Sequence, residues 1–332
     1  MSAIQDLADL AQRFDADRRH LRSVAFQLLG SVADADDAVQ SAWLKASRSD
    51  SETLNNINKI ENLTGWFTTI TAHEALYQLR VRKRRAERPL VDPDELDRLA
   101  GTASAPADQD GLLADSVSSA LLVVLDRLSP AQRVAFVLHD VFAVPFEAIA
   151  GLLDRSPAVA KKLASRARGR LHADPAAQPG RVAEHVEIVE AFLTASRGGD
   201  IATLLNLLAP DVVRRVDRAL VPEDVPTELR GATEVAEETR RFTHRARVGA
   251  VILIDGVPGI VIAPVGRAQA LLQIGVGEDN RIHTIDITGD TARVRRAVLT
   301  LPRWPSQNCH KPIGYQGHRT KPATRQGEDD AR

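Results

Sequence analysis

Residues Val144–Leu171, VPFEAIAGLLDRSPAVAKKLASRARGRL, constrain the fold more than any other stretch of the chain. Ile149, Leu152 and Leu153 recur at helical spacing, and Asp154-Arg155 interrupt the pattern. Ser156 supplies an N-cap oxygen, and Pro157 falls at the first helical position, where its missing N–H costs nothing. A second helix then carries Val159, Leu163, Ala167 and Leu171 on one face, and Lys161, Lys162, Ser165, Arg166, Arg168 and Arg170 on the other. Two short helices joined by a tight turn, the second one basic, describe a helix-turn-helix with its recognition helix. An ordinary helical hairpin with a solvated cationic face has the same pattern, so this stretch alone leaves both readings open.

With 332 residues the chain exceeds what one core usually supports, so two or three domains are expected. A net charge of −1 argues against a uniformly basic coat protein, yet it hides local asymmetry. Cys309 is the only cysteine, which excludes an internal disulfide framework and a Cys-rich zinc site. Cys309, His310 and His318 match no standard metal-site spacing, and no cofactor is expected. The start, MSAIQDLADLAQRF, has acids where a signal peptide needs an apolar core. No apolar run reaches membrane-spanning length, and the expected location is cytoplasmic, with no membrane partner.

Leu21, Val24, Ala25, Leu28 and Leu29 form a helical stripe that Gly30 ends. Asp34, Asp36 and Asp37 open the next helix, with acids at the positive end of its dipole and Ala38, Val39, Ala42 and Trp43 on its apolar side. Ser47–Thr64 reads as a loop or short helical linker. A helix from near Gly65 carries Trp66, Phe67, Ile70 and Tyr77, and ends in Arg80, Arg82, Lys83, Arg84, Arg85 and Arg88. That cluster attracts phosphate, and the rings just upstream are of a kind that stacks on unpaired bases. Phe67 and Ile70 read as core, whereas Tyr77 is open to either role.

RPLVDPDELDRLAGTASAPADQDG (88–111) is rich in Pro, Asp, Ala and Gly and is expected to be mobile. Asp115–Asp126 resumes a helix, and Ser129-Pro130 caps the one before the helix-turn-helix. DPAAQPG (174–180) is a second linker. From Val182 helices give way to β-rich runs, Val248–Ile254, Ile260–Ala263, Ala268–Val276 and Ile282–Ile287. Val212–Val216 is a further candidate strand and Thr233–Phe242 a helix. Gly256-Val257-Pro258-Gly259 and Gly277-Glu278-Asp279-Asn280 are the expected turns. Helices first and antiparallel strands afterwards indicate an α+β domain. The tail from Pro302 lacks periodicity and is expected to be disordered.

LGSVADADDAVQSAWLKA (29–46) and GWFTTITAHEALYQLRVRKRR (65–85) resemble region two of bacterial extracytoplasmic-function (ECF) sigma factors, and Leu125–Leu171 resembles their region four. RVAFVLHDVFAVPF and LASRAR resemble the subgroup with a SnoaL-like C-terminal extension, to which Val182–Val294 is similar. The resemblance implies a multidomain fold: two all-α helical domains, then an α+β SnoaL-like cone. The expected divisions are region two at 10–88, a flexible linker at 89–113, region four at 114–173, a linker at 174–181, the cone domain at 182–300 and a disordered tail at 301–332.

The resemblance also assigns roles. Asp34, Asp36, Asp37, Gln40, Trp43 and Lys45 match the helix that docks on the β′ clamp helices of core RNA polymerase, whose β flap is a further implied contact. Asn62, Leu63 and Thr64 match the loop that captures a flipped base of the −10 element, with Thr69, His73, Tyr77, Arg80, Arg82, Lys83 and Arg84 along the melted strand. Ser156, Ala158, Lys161, Lys162, Ser165, Arg166 and Arg168 match the helix that enters the −35 major groove, the lysines toward base edges and the arginines toward phosphates. The implied function is a non-enzymatic sigma factor that binds polymerase and promoter DNA and initiates transcription, modulated by its C-terminal domain.

The linker has ERPLVDP where the subgroup has a WLPEPL-like motif. Asp217-Arg218-Ala219-Leu220 replaces a DGGGK motif, and Ile287-Thr288-Gly289-Asp290 replaces Asn-Pro-Asp. The alternative function is a DNA-binding regulator whose C-terminal domain senses a small-molecule ligand in its cavity or acts on it. Asp211, Asp217, His283 and Asp286 are the acid–base candidates for that chemistry.

Overall fold

The computed structural model describes residues 2–48, 62–85, 94, 96–98, 100, 119–171 and 179–302. Most of the 88–111 segment, residues 172–178 and nearly all of the tail lie outside these, together with Cys309, His310 and His318. Among the described residues no helix is long and apolar enough to cross a membrane.

Among the described residues the first module comprises three helices. Helix α1 (Ser2–Leu29) ends at Gly30, whose φ of 73° turns the chain. The Ser31 hydroxyl then accepts from the Asp34 N–H and starts α2 (Val32–Ala46). Helix α3 (Leu63–Arg85) packs across both, burying Phe67, Ala72, Ala75 and Leu76 against Phe14, Leu21 and Ala38. Phe14 meets the Phe67 ring edge-on at 4.9 Å and the Trp43 ring at 5.2 Å.

The second module is built from α4 (Ser119–Asp126), α5 (Pro130–Phe136), α6 (Phe146–Leu153) and α7 (Pro157–Leu171). Ser129 and Gln132 form a reciprocal capping box at the start of α5. A π-helical turn, Val137–Val141, follows it. Asp154 ends α6 in the left-handed region (φ 53°), and the Arg155 N–H donates to the Ala150 carbonyl. Helix α7 therefore turns sharply away, as a helix-turn-helix requires.

The third module begins with α8 (Pro179–Gly198) and α9 (Ile201–Leu207), which Asp200 caps through the Thr203 N–H. A seven-stranded sheet follows, in the order β2-β1-β6-β5-β4-β3-β7. Its strands are β1 (Leu208–Val216), β2 (Glu228–Arg230), β3 (Gly249–Ile254), β4 (Val257–Ile262), β5 (Ala270–Val276), β6 (Ile282–Thr288) and β7 (Leu299–Thr300). Helices α10 (Ala232–Arg241) and α11 (Thr243–Arg247) sit between β2 and β3, and α12 (Thr291–Arg296) between β6 and β7. The result is the expected fold class: helical modules first, then an α+β domain with helices packed on a sheet around a cavity.

Two details differ from the sequence expectation. The sheet is mixed, because β1 pairs with β6 in parallel. The hairpin turn also lies one step earlier than expected, at Asp255-Gly256, both with positive φ, while Val257, Pro258 and Gly259 belong to β4. Strand β3 is buried throughout, which its unbroken apolar run reflects. Val251 and Leu253 face the inside of the cone, and Ala250, Ile252 and Ile254 join the core of the helical modules.

The three modules are in contact. The Arg133 guanidinium on α5 is buried and donates to the Gln27 carbonyl of α1 at 3.2 Å. Burial lowers it to about 10, so at neutral pH it is still a charge in the interior. Arg127 donates to the Val294 and Arg295 carbonyls of α12 at 2.8 and 3.2 Å, and the Leu301 N–H donates to the Leu171 carbonyl at 2.9 Å.

Gly259 is a point of the sheet where backbone approaches closely. A Cβ there would stand 2.5 Å from the Leu272 carbonyl oxygen and 2.8 Å from Ile254 Cδ1. The carbonyl belongs to the neighbouring strand and cannot swing aside. Gly259→Ala is expected to destabilise the protein by about 1–3 kcal/mol, read as a lower urea midpoint.

Candidate nucleic-acid interface and C-terminal cavity

On α7, Ser156, Ala158, Lys161, Lys162, Ser165 and Arg166 are all exposed. The buried row opposite is Ala160, Ala164, Ala167 and Leu171, with Leu163 half-buried. Ala167 and Leu171 are buried as expected, but Val159 is 40% exposed, and in the first half of the helix Ala160 and Ala164 take the core positions. Small alanines at the buried positions bring α7 close to α5 and leave its cationic side facing outward. Arg168 is a partial exception, since its Nη1 donates to Asp140 Oδ1 at 2.8 Å. That ion pair anchors the far end of α7 to the π-helical turn.

On α3, Asn62 caps the helix, its Oδ1 accepting from the Gly65 N–H at 2.8 Å. Thr64 donates to Asp17 Oδ2 at 2.8 Å and Thr69 to the Gly65 carbonyl at 2.9 Å, while Leu63 packs half-buried on the core. His73, Tyr77 and Arg80 are exposed in a row down the helix, and Tyr77 is 60% exposed. Tyr77 thus stands clear of the core that Phe67 enters. Lys83 and Arg84 lie on the last turn of α3.

Arg82 does not join that face. Its Nη1 donates to the Leu29 carbonyl at 2.9 Å, and its guanidinium pairs with Asp34. Desolvation lowers its affinity for the proton. The side chain that sequence spacing assigned to DNA instead closes the end of α1.

Of the residues assigned to polymerase, Asp34 is engaged by Arg82, and Lys45 pairs with Glu74 of α3. Asp37 and Gln40 are exposed, and Asp36 holds Arg22 at 2.7 Å. Asp36, Gln40 and Trp43 line one groove with Phe14, Arg18, Arg22 and Val39. Arg18 and Arg22 were missed in the sequence because they lie on the polar side of α1, where cations are commonplace.

The four acid–base candidates of the C-terminal domain do not line its cavity. Asp211 is a surface residue 3.8 Å from His283, which lies 3.0 Å from Asp279. Asp286 pairs with Arg215 on the surface at 3.4 Å. Asp217 is structural: its Oδ2 accepts from the Thr288 hydroxyl and from the Gly289 and Asp290 N–H groups. The ionisable groups on the cavity wall are Arg214, Glu238 and Arg245, none of which the sequence singled out. Alternation along β1 was the available signal, since Val212, Arg214 and Val216 share the inward face. Arg214 pairs with Glu238, whose carboxyl burial pushes up.

Leu96 and Asp97, in the segment expected to be mobile, are held on this domain. Leu96 is 2% exposed and belongs to the core of the cone. Asp97 accepts from Arg245 Nε and lies 2.7 Å from His244 Nε2. Burial pushes the Asp97 carboxyl up, but the bonds from Arg245 and His244 outweigh it and hold it below the usual range.

Arg82→Ala removes a half-buried donor from a helix-end carbonyl and leaves Asp34 without its cation. It is expected to cost about 1–3 kcal/mol in urea unfolding, whereas Arg80→Ala leaves the midpoint where it was.

Comparison with known proteins follows the same division of the chain. The family described as Sigma-70 region 2 matches residues 14–85, and that described as Sigma-70, region 4 matches residues 118–171. The ECF RNA polymerase sigma factor SigJ of Mycobacterium tuberculosis (strain ATCC 25618 / H37Rv) is 41% identical over 209 residues, 60% of this chain. That match spans 62% of SigJ, less than two thirds of its length. The probable ECF RNA polymerase sigma factor SigI of the same species is 32% identical over 274 residues, 81% of this chain and 90% of SigI. The crystal structure of Mycobacterium tuberculosis extracytoplasmic function sigma factor SigJ aligns over 85% of this chain and 97% of its own, at 30% identity and a TM-score of 0.38.

Proposed function

Because the chain belongs to the ECF RNA polymerase sigma factors, we propose that it binds core RNA polymerase, directs it to promoters and opens them, all in the cytoplasm. The observation that carries this reading is the sided surface of α7. Six residues matched to the −35 helix are exposed together, while the opposite row is buried. A merely solvated hairpin has no need of a second cationic helix end, yet α3 supplies one with His73, Tyr77 and Arg80 exposed beside it.

In this reading Lys161 and Lys162 reach base edges in the major groove, and Arg166 holds phosphate. Asn62, Leu63 and Thr64 receive the flipped −10 base, and Tyr77 offers its ring to the unpaired strand. Asp36, Gln40 and Trp43, with Arg18 and Arg22 beside them, form the groove for the β′ clamp helices. Polymerase supplies the phosphoryl chemistry, and this chain works by binding alone. Each module, once bound, raises the effective concentration of the other at its promoter element.

The −10 and −35 elements lie about 25 base pairs apart, roughly 85 Å of duplex at about 3.4 Å per base pair. Modules joined as Arg133 joins α5 to Gln27 do not reach across that span. Binding a promoter therefore requires giving up the Arg133–Gln27 contact, and the C-terminal domain, tied to the second helical module through Arg127, modulates that opening.

Lys161→Ala combined with Lys162→Ala is expected to abolish −35-dependent run-off transcription while leaving copurification with core polymerase intact. Asp36→Ala with Gln40→Ala should do the reverse, weakening copurification first. Loss of polymerase binding in the lysine variant would count against the assignment, as would failure of the unaltered chain to copurify.

A further inference from the structure

Between α8, α10, α11 and the inner face of the sheet lies a cavity of about 110 Å³. Most of its wall is hydrocarbon, including Phe192, Ile260 and Ile285. A space of this order, lined by apolar side chains, accepts a ring the size of benzene. Its ionisable groups do not balance within the domain. Arg214 has Glu238, but the counter-ion of Arg245 is Asp97, which reaches it from the segment joining the two helical modules.

Both cavity arginines are buried, Arg214 at 2% and Arg245 at 9% exposure, and each keeps an N–H with no partner among the described residues, Arg214 Nε and Arg245 Nη2. The rest of Arg245 is fixed: its Nη1 donates to the Leu220 carbonyl at 2.6 Å, and its guanidinium lies 4.8 Å from the Phe242 ring centre. A fixed guanidinium in an apolar chamber, with a donor to spare, is built for a carboxylate. The joining segment already imitates such a ligand. Leu96 supplies hydrocarbon to the cavity wall and Asp97 supplies the anion beside it.

We propose that this cavity binds a small apolar monocarboxylic acid, which takes Arg245 from Asp97 and displaces Leu96 from the wall. This names the ligand class for the modulating domain of the function proposed above, and rests on that reading only for its consequence in transcription. Ligand and joining segment exclude one another, because they compete for one guanidinium and one apolar space. Acid binding therefore frees the segment between the two DNA-binding modules.

The test is calorimetric titration of the full chain with isovalerate, hexanoate and benzoate, each against its matching alcohol. At least one acid is expected to bind, and its alcohol at least tenfold more weakly. Asp97→Asn removes the competitor and is expected to tighten that acid tenfold or more. Arg245→Gln should erase the preference for acid over alcohol. Saturating acid should also speed tryptic cleavage after Arg98 several-fold in the unaltered chain. Equal binding of acid and alcohol would overturn the proposal, as would no binding by the Asp97→Asn variant or an unchanged cleavage rate with acid bound. Copurification of the same preparation with core polymerase reads the sigma function separately, so failure of one reading is not mistaken for failure of the other.

Discussion

Arginines that end on the free carbonyls of helix C-termini hold this molecule together. The last carbonyls of a helix have no partner within it and carry the negative end of its dipole, so a guanidinium satisfies both at once. Arg82 and Arg133 converge on the end of α1, at Leu29 and Gln27. Arg127 closes the end of α12, and Arg197 reaches the Ala246 carbonyl in α11 and the Gly249 carbonyl just past its end. Arg245 does the same for the short 3-10 turn that ends at Leu220. Burial depresses Arg82, Arg127, Arg133 and Arg197 alike, which measures the desolvation each bond must offset. Seams of this kind are well suited to opening. Their polar groups hydrogen-bond to water once parted, whereas a wholly apolar seam would expose hydrocarbon.

That use of arginine explains where sequence reading succeeded and where it did not. The helix-turn-helix was legible because capping and periodicity are local: Ser156, Pro157 and the turn at Asp154 all act within a few residues. The exposed face of α7 followed, as did Ala167 and Leu171 in the core, and only the first half of the buried stripe slipped by one position, from Val159 and Leu163 to Ala160 and Ala164. An alanine row carries little hydrophobic contrast, so a valine beside it looked the better core residue. On α3 the same local logic had no purchase. A run of cations shows charge but not direction, and Arg82 turns inward because the end of α1 happens to lie beneath it.

The C-terminal domain was legible as strands and helices but not as a site. Pairing β1 with β6 in parallel joins residues some seventy positions apart, and nothing local announces it. Acidic residues and histidines drew attention as candidate acids and bases, yet Asp217 caps a turn and His283 lies on the surface. The chamber is instead polarised by arginines, and only the alternation along β1 pointed at one of them. Arg245 gave no signal, since its role depends on a carboxylate 148 positions upstream.

The pairing of Asp97 with Arg245 bears on why this chain lacks the motifs its resemblance led one to expect. Where the subgroup has glycines, this chain has Asp217-Arg218-Ala219-Leu220, and the Leu220 carbonyl of that segment orients the Arg245 guanidinium. A few residues beyond ERPLVDP, which stands where the subgroup has its proline-rich motif, Leu96 lines the cavity and Asp97 pairs with the same guanidinium. The altered glycine segment and the joining segment thus meet at one side chain. In this chain the joint between the joining segment and the cone is a single charge pair beside an apolar wall. Such a pair is open to competition by other anions in a way that a purely apolar contact is not.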